Sequence, residues 1–360
     1  MAAEKRTRRT IGITCGCPLG IGPQIAAEAM FEQGQKHEAV RFRFYAPFVL
    51  LEEAISFRKD LFVEHLSNRQ ARIFRKDSGE SRDVVVECLE MDDGFAGFSS
   101  SDEHALRAQR HSLLRALEDA QERKVVSLVT APIRKSCLDD VDGRDWPGHT
   151  ELLGHRLGDG REPLMLFAGG PFLLGLCTVH LPICEVSTSL SVERVQHSLE
   201  RMREACELLF ASEGKTPGVT TETMRLVVLG LNPHAGENGR LGTEEQNVIQ
   251  PGIDTFLENA SSRKGEDILG VEVKGPMPAD GFFGHFHRQQ MPHGVLAMYH
   301  DQGLAPYKLL SRGCGVNITI GLKVPRTSPD HGTADAMRAG GDADPQSMSE
   351  ALRWAIKLTT

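Results

Sequence analysis

The stretch PLMLFAGGPFLLGLCTVHLPIC, residues 163–184, contains no Asp, Glu, Lys or Arg and is long enough to cross a bilayer as a helix. Gly169, Gly170 and Pro171 interrupt it in the middle, and these residue types favour a turn over a continuous helix. The stretch therefore predicts two buried strands joined by a turn, in a protein that does not insert into a membrane.

Similar short apolar runs recur along the chain and alternate with segments of helical spacing. The runs are RTIGIT (9–14), KVVSLVT (124–130), RLVVLGL (225–231), GVLAMY (294–299) and GVNITIGL (315–322). Among the helical segments, the one that starts after Ser191 places Val192, Val195 and Leu199 on one face, with Ser191 as a suitable N-cap. Strands that alternate with helices predict an α/β fold with a largely parallel sheet.

The composition is that of a globular protein. The 360 residues include 25% charged and 40% hydrophobic residues, and the net charge is -8. This negative charge argues against a nucleic-acid partner, because phosphate binding needs a basic face. The N-terminal MAAEKRTRRT lacks the apolar core of a secretory signal, and the eight cysteines do not show the spacing of a disulfide framework. We therefore expect a cytoplasmic protein with reduced thiols.

A histidine follows three of the predicted strands. His180 comes after the strand within 172–179, His234 lies in the NPHAG segment after 225–231, and His300 directly follows GVLAMY. The carboxyl ends of strands in open α/β sheets meet at one edge, where ligands bind. Three imidazoles from separate strands match a catalytic divalent metal site with an open position, although a histidine considered alone is more often a structural or surface residue.

Other polar residues suit an anion. His149 and Thr150 open a predicted helix, where unpaired N–H groups favour a negative charge, although Thr150 could simply cap that helix. Lys308, Asn317 and Arg326 offer cationic and amide groups for a phosphate or a carboxylate. For the lysine and the arginine, an ordinary surface ion pair is the alternative.

Several longer motifs support a family resemblance. The chain contains, in this order, the segments WPGHTELLG, TVHLP, LNPHAGENGRLGTEE, GPMPAD, AMYHDQGL, GVNITIGL and RTSPDHGTA. In order and spacing these segments resemble the 4-hydroxythreonine-4-phosphate dehydrogenases of vitamin B6 (pyridoxine) synthesis. The resemblance runs through most of the chain, and its long motifs are far more specific than a short glycine signature.

The resemblance implies an isocitrate/isopropylmalate-dehydrogenase-like α/β fold, with two lobes, a mostly parallel sheet and a cleft between the lobes. One lobe would combine residues 1–135 and 320–360. The other lobe, residues 136–319, would carry the metal ligands and the dimer contacts. The family is a homodimer whose active site combines groups from both subunits, so His300 is a candidate ligand for the metal of the other chain.

The resemblance also implies roles for individual residues. The histidines of three motifs would bind one divalent metal, which is Zn, Mg or Co: His180, His234 and His300. Five residues would bind the substrate, a small phosphorylated hydroxy-amino acid: His149, Thr150, Lys308, Asn317 and Arg326. The family's cofactor is NAD or NADP, bound without a Rossmann fingerprint, and no G-x-G-x-x-G segment occurs in this chain.

The implied reaction is an NAD(P)-linked oxidation of 4-phosphooxy-L-threonine at C3 to a 3-oxo acid, which decarboxylates to 3-amino-2-oxopropyl phosphate. Lys308, Asp301 and a water on the metal are candidate proton acceptors, and Asp280 would orient a ligand histidine. Two alternatives remain. One is a related dehydrogenase of 4-phospho-D-threonate or 4-phospho-D-erythronate, and the other is a metal-dependent hydrolase that needs no nicotinamide.

The segment TCGCPLGIGP, residues 14–23, departs from the family pattern, which usually reads G-D-P-x-G-I-G-P-E. Cys17 and Gln24 stand where the family has acidic residues, and this difference bears on the choice of substrate. Gly20 and Gly22 predict a tight or positive-φ backbone before a helix. Neither a Rossmann loop nor a Cys-x-Cys metal site is expected here, because the third glycine of the G-x-G-x-x-G pattern and a second pair of thiols are missing.

Overall fold

The structure is a computed structural model, and it describes residues 9–76, 82–89, 101–213, 223–262, 270–288, 290–334 and 343–359. In these ranges the strands are β1 (Arg9–Thr14), β2 (Val40–Tyr45), β3 (Leu61–His65), β4 (Gln70–Arg75), β5 (Val84–Cys88), β6 (Ser127–Val129), β7 (Leu164–Ala168), β8 (Leu173–Leu176), β9 (Met224–Leu229), β10 (Val271–Met277), β11 (Gly294–Ala297), β12 (Val316–Ile320) and β13 (Arg326–Pro329). The α-helices are α1 (Gly22–Lys36), α2 (Phe48–Ser56), α3 (Asp102–Gln121), α4 (His149–Leu157), α5 (Ile183–Ser189), α6 (Val192–Ser212), α7 (Gln250–Ser262), α8 (Ala279–His285), α9 (His300–Ser311) and α10 (Gln346–Lys357).

The chain divides into two compact units. The first comprises Met1–Glu162 and Gly321–Thr359, and the second comprises Pro163–Ile320. Residues 136–162, which the sequence analysis assigns to the second lobe, lie in the first unit. They do so because Leu153 on α4 belongs to the same apolar cluster as Leu117 on α3. The packing partner of a helix cannot be read from its own apolar spacing, so this boundary differs from the expected one.

In the first unit the strand order is β13-β6-β1-β2-β5-β4-β3. The strands from β13 to β5 run parallel, and β4 and β3 add an antiparallel edge. Helices α1 and α10 pack against each other, and α3 packs against α4 and β1. Since parallel strands are usually covered by helices, this arrangement follows from the alternation of strands and helices in the sequence.

In the second unit the strand order is β10-β9-β11-β8-β7-β12. The four strands β10, β9, β11 and β8 run parallel, whereas β7 is antiparallel to both of its neighbours, β8 and β12. The predicted α/β fold with a mostly parallel sheet is therefore confirmed. So is the predicted N-cap of α6, because Oγ of Ser191 accepts a hydrogen bond from the N–H of Arg194 at 3.1 Å.

The apolar stretch 163–184 forms the two predicted strands, β7 and β8, and the turn between them contains Gly169. At Gly169 φ is +95°, and a Cβ there would lie 1.9 Å from the carbonyl oxygen of Cys314. Only glycine fits this position. Across the described ranges, no helix combines the length and the apolar character needed to span a membrane.

The glycines of TCGCPLGIGP do not have the backbone conformations expected from the sequence. The positive φ, +70°, occurs at Gly16, and neither Gly20 nor Gly22 adopts one. Gly22 is required for space, because a Cβ there would lie 2.9 Å from the carbonyl oxygen of Cys15. Helix α1 begins at Gly22, and Pro23 lies in its first turn, where the missing N–H leaves no hydrogen bond unmade.

The two departures from the family pattern lie inside the first unit. Cys17 is fully buried and packs with Leu19 and Ala105, in surroundings where a thiol is accommodated more easily than a carboxylate. Gln24 is also buried, and its Nε2 donates to Oε1 of Glu28 at 3.1 Å. An amide at position 24 thus gives this buried carboxylate a neutral hydrogen-bond donor.

Candidate active site

The three histidines lie beyond the carboxyl ends of three neighbouring parallel strands. His180 follows β8, His300 follows β11 and His234 follows β9, and β11 lies between the other two strands. Asp280 follows β10, the next parallel strand, and lies in the first turn of α8. The second unit therefore brings these side chains to one edge of its sheet, as the sequence analysis predicts from the strand ends.

His180 and His300 are neighbours at the carboxyl ends of these strands. Their ring centres are 6.1 Å apart, whereas two imidazoles on one tetrahedral ion place their ring centres roughly 5 to 6 Å apart. Nδ1 of His300 lies 2.6 Å from Oδ1 of Asp301, so the carboxylate favours the tautomer with the proton on Nδ1 and leaves Nε2 for a ligand. The sequence-based expectation names Asp280 as the residue that would orient a ligand histidine, and the carboxylate in contact with His300 is that of Asp301.

The third predicted ligand is not assembled with the other two in the single chain. Among the residues that the structure describes, no group of three or more His, Cys, Asp or Glu side chains is arranged to hold a metal ion. The residue types nevertheless fit such an ion, because imidazole nitrogens are preferred ligands of zinc and cobalt. His234 differs from His180 and His300 in the backbone that carries it.

His234 begins an unusual left-handed turn. Six consecutive residues have positive φ, with values between 43° and 89°: His234, Ala235, Gly236, Glu237, Asn238 and Gly239. For a residue other than glycine, this conformation costs about 1–2 kcal/mol in a helical run. Neighbouring structure must therefore hold the turn in place.

Two glutamates at the start of the following helical segment bind Asn232, which lies two residues before His234. Oε1 of Glu245, a carboxylate that is 3% exposed, accepts the N–H of Asn232 at 2.7 Å. Nδ2 of Asn232 donates to Glu244 at 2.8 Å and to Glu245 at 3.0 Å. Hydrogen bonds from Ser187 and Asn232 keep the pKa of Glu244 below its usual value. Asn232, Glu244 and Glu245 are not among the residues predicted from the sequence, although they lie within the LNPHAGENGRLGTEE motif.

A cavity of about 390 Å³ opens beside two of the histidines. His180 lines it together with His300 and Asp301, and Val186 and Tyr299 are among its other lining residues. The combination of apolar walls with a few polar groups is typical of a small-molecule site.

In the first unit, His149 and Thr150 form the beginning of α4. The N-cap is Gly148, which has no side chain to accept a hydrogen bond, and Thr150 lies inside the first turn. Thr150 is therefore not the cap, and this structural alternative is wrong. The first turn instead leaves N–H groups without intrahelical partners at the helix end where these two residues lie, and such groups favour an anion.

Arg326 is buried in the first unit, 3% exposed, and its guanidinium donates two hydrogen bonds to the hydroxyl group of Thr130. Nε and Nη2 donate to Oγ1 of Thr130 at 2.9 and 2.6 Å. Burial lowers the pKa of Arg326 to about 10, while the charge of Glu151 acts in the opposite direction. The guanidinium therefore remains charged at neutral pH, in surroundings where an anion would be held strongly.

His149 is an uncharged neighbour of this arginine. Burial lowers the pKa of His149 well below its usual value, and the positive charge of Arg326 adds to the effect. Although the residue as a whole is only half-buried, its Nε2 is sealed from solvent and has no hydrogen-bond partner. A buried polar atom without a partner is uncommon, and a bound ligand would satisfy it.

The pKa of His149 predicts a pH dependence of stability. Because the folded-state pKa is depressed, the unfolded chain binds the additional proton below its own pKa of about 6.5. The free energy of unfolding should therefore fall by about 1 kcal/mol between pH 7.5 and 5.5 through this residue alone. Urea denaturation should show a weaker pH dependence in His149→Gln than in the wild type. A His104→Gln control, at an exposed residue, should keep the wild-type dependence. Equal dependence in all three proteins would contradict the assignment.

The remaining predicted substrate residues lie in the second unit. Asn317 is on β12, opposite Phe167 of β7, and its Oδ1 is buried without a hydrogen-bond partner. Lys308 is exposed on α9, the helix that begins with His300. The sequence-predicted residues are thus divided, with His149, Thr150 and Arg326 in the first unit and the others in the second.

Comparison with known proteins identifies the family. A family model described as pyridoxal phosphate biosynthetic protein PdxA matches residues 44–355. The 4-hydroxythreonine-4-phosphate dehydrogenase of Chromobacterium violaceum is 38% identical, with 98% of this chain and 97% of that protein covered. That of Bacteroides thetaiotaomicron is 35% identical, with 97% and 88% covered. The crystal structure of a 4-hydroxythreonine-4-phosphate dehydrogenase from Burkholderia phymatum superposes with a TM-score of 0.73, at 30% identity and 98% coverage of both chains. This chain therefore belongs to the PdxA family of pyridoxal phosphate biosynthetic proteins, a family of dehydrogenases.

Proposed function

We propose that this protein oxidises 4-phosphooxy-L-threonine at C3, in a metal-dependent and NAD(P)-linked reaction, to a 3-oxo acid that loses CO2 to give 3-amino-2-oxopropyl phosphate. The observation that carries the proposal is the position of His180, His300 and His234 beyond three neighbouring parallel strands. The substrate is taken from the name of the relatives, 4-hydroxythreonine-4-phosphate dehydrogenase. The proposal includes a biosynthetic role in the cytoplasm.

The surroundings of the three histidines, Asp301 and Lys308 support a role for each of them in this reaction. When bound, the divalent cation polarises the C3 hydroxyl and the nicotinamide accepts the hydride. His180, His234 and His300 would hold the cation, and their imidazoles favour Zn or Co over Mg. Asp301 orients His300, so Lys308 is the better candidate for accepting the hydroxyl proton.

The substrate's anionic groups would be bound by the first turn of α4 and by Arg326. His149 and Thr150 stand at the N-terminus of that helix, and Thr130 holds the guanidinium of Arg326 in a fixed orientation. The buried, unpartnered Oδ1 of Asn317 suits a hydroxyl or amino group of the substrate.

A homodimer with a shared active site also belongs to the proposal. Leu181 and Ile183 are apolar residues with 39% and 69% exposure, and both line the cavity next to His180. Exposed apolar side chains beside a functional group are typical of an interface. Sedimentation of the purified protein should therefore give the mass of two chains.

A substrate panel tests the function. The purified enzyme, supplied with Zn or Co and with NAD or NADP, should produce the near-ultraviolet absorbance of reduced nicotinamide when 4-phosphooxy-L-threonine is added. Chelation of the metal should abolish the signal. Activity on 4-phospho-D-threonate or 4-phospho-D-erythronate alone would assign the related dehydrogenase, and release of phosphate without reduced nicotinamide would assign a hydrolase.

A further inference from the structure

A continuous chain of hydrogen bonds crosses the carboxyl ends of the four parallel strands in the second unit. At β8, Thr178 donates to the carbonyl oxygen of Met298 from its N–H at 3.2 Å and from its Oγ1 at 2.7 Å. The N–H of Met298 donates to Oε1 of Gln302 at 2.7 Å. Nε2 of Gln302 donates to the carbonyl oxygen of Gly230 at 2.5 Å. The N–H of Gly230 donates to the carbonyl oxygen of Met277 at 2.8 Å.

Gln302 supplies the link at the point where two strands separate. Between β8 and β11, backbone hydrogen bonds continue past the strand ends as far as Thr178. Between β11 and β9, the backbone ladder stops at the pair Leu296 and Val228. Beyond that pair, the amide of Gln302 offers one acceptor and one donor, as a peptide group does. The side chain of Gln302 thus takes the place of the next pair of backbone hydrogen bonds between β11 and β9.

The linked backbone groups stand just before the histidines. Thr178 lies two residues before His180, and Met298 lies two residues before His300. Gly230 precedes the left-handed turn of His234. Gln302 lies in the first turn of α9, which His300 begins. Its side chain therefore links the segment that carries His300 to the segment that carries His234.

We propose that Gln302 is a positioning residue that sets the spacing between the segments carrying His234 and His300. The proposal rests on the proposed function for its consequence, because the spacing matters for a metal held by these histidines. The hydrogen bonds themselves are independent of any metal. A change at Gln302 should therefore have one effect on the backbone and a separate effect on metal binding.

Two substitutions separate the two hydrogen bonds. Gln302→Leu removes both, whereas Gln302→Glu keeps the acceptor for the N–H of Met298 and loses the donor to Gly230. Amide hydrogen exchange should be at least about tenfold faster at Met298 in Gln302→Leu and nearly unchanged in Gln302→Glu. The affinity for Co²⁺, measured by calorimetry, should fall at least about tenfold in both variants, and the visible spectrum of bound Co²⁺ should change.

The control is Gln250→Leu, because Gln250 is a half-buried residue of α7 whose Nε2 donates an exposed hydrogen bond to Oδ1 of Asp254. This variant should keep the wild-type affinity and spectrum. Wild-type affinity and spectrum in Gln302→Leu would overturn the proposal, and so would unchanged exchange at Met298. A wild-type protein that binds no Co²⁺ would instead refute the proposed metal centre, and exchange at Met298 would then decide the positioning role by itself.

Discussion

Replacement of Arg326 by lysine is expected to lower kcat/KM for the phosphorylated substrate roughly 100-fold, which corresponds to about 2.7 kcal/mol. The charge is kept, but an ammonium group cannot reproduce the two hydrogen bonds that Nε and Nη2 donate to Oγ1 of Thr130, so the charge would be held in a different position and orientation. Most of the loss should appear in KM, because the interaction with the substrate's anion exists before the reaction as well as during it. Steady-state kinetics with varied substrate measures both constants.

The matched control for this substitution is Arg107→Lys in the same unit. Arg107 lies on α3 and makes an exposed ion pair with Glu103 at 2.6 Å, and such pairs contribute about 0–1 kcal/mol. The control should therefore leave both the kinetics and the melting temperature near their wild-type values. If Arg326→Lys and Arg107→Lys have equal KM values, Arg326 does not bind the substrate, and its burial against Thr130 is then purely structural.

The sequence predicts the parts of the fold that depend on local patterns. The run RTIGIT is β1 to the residue, because both ends of this buried strand are marked by polar residues. Among the strands that no pattern in the sequence predicts are β3 and β4. They lie at an antiparallel edge where side chains alternate between the core and solvent, as in QARIFR of β4, so no continuous apolar run marks them.

In the candidate active site, the sequence predicts positions but not geometry. A histidine after an apolar run is placed at the sheet edge by the strand alone, and this holds for His180 and His300. At His234, the segment that leads into the left-handed turn is held by the buried carboxylate of Glu245, which comes later in the same motif and accepts the N–H of Asn232. Likewise, the role of Gln302 depends on a strand that is adjacent only in the folded sheet. Hydrogen bonds between remote segments leave no periodic signal in a sequence.

His234 offers the sharpest test of the metal centre, because its backbone restricts the substitutions that can be interpreted. At φ 52° a β-carbon is strained, and asparagine tolerates this region better than alanine. His234→Asn therefore removes the imidazole with little change in the backbone, whereas His234→Ala adds a cost of folding. If His234 ligates the cation, His234→Asn should lower metal affinity roughly 100-fold or more and kcat/KM roughly 1000-fold.

Metal content after dialysis, measured by elemental analysis, separates this expectation from a structural role. The control His197→Ala removes a histidine from α6, which does not follow one of the three strand ends, and it should retain metal and activity. In His234→Asn, bound metal and turnover should fall together while the melting temperature of the metal-free protein stays within a few degrees of the wild type. Metal retained at the wild-type level together with a normal rate would exclude His234 as a ligand. The imidazoles of His180 and His300 would then have to hold the cation together with other donors. The left-handed turn at His234 would then have a structural role in its loop and no role in metal binding.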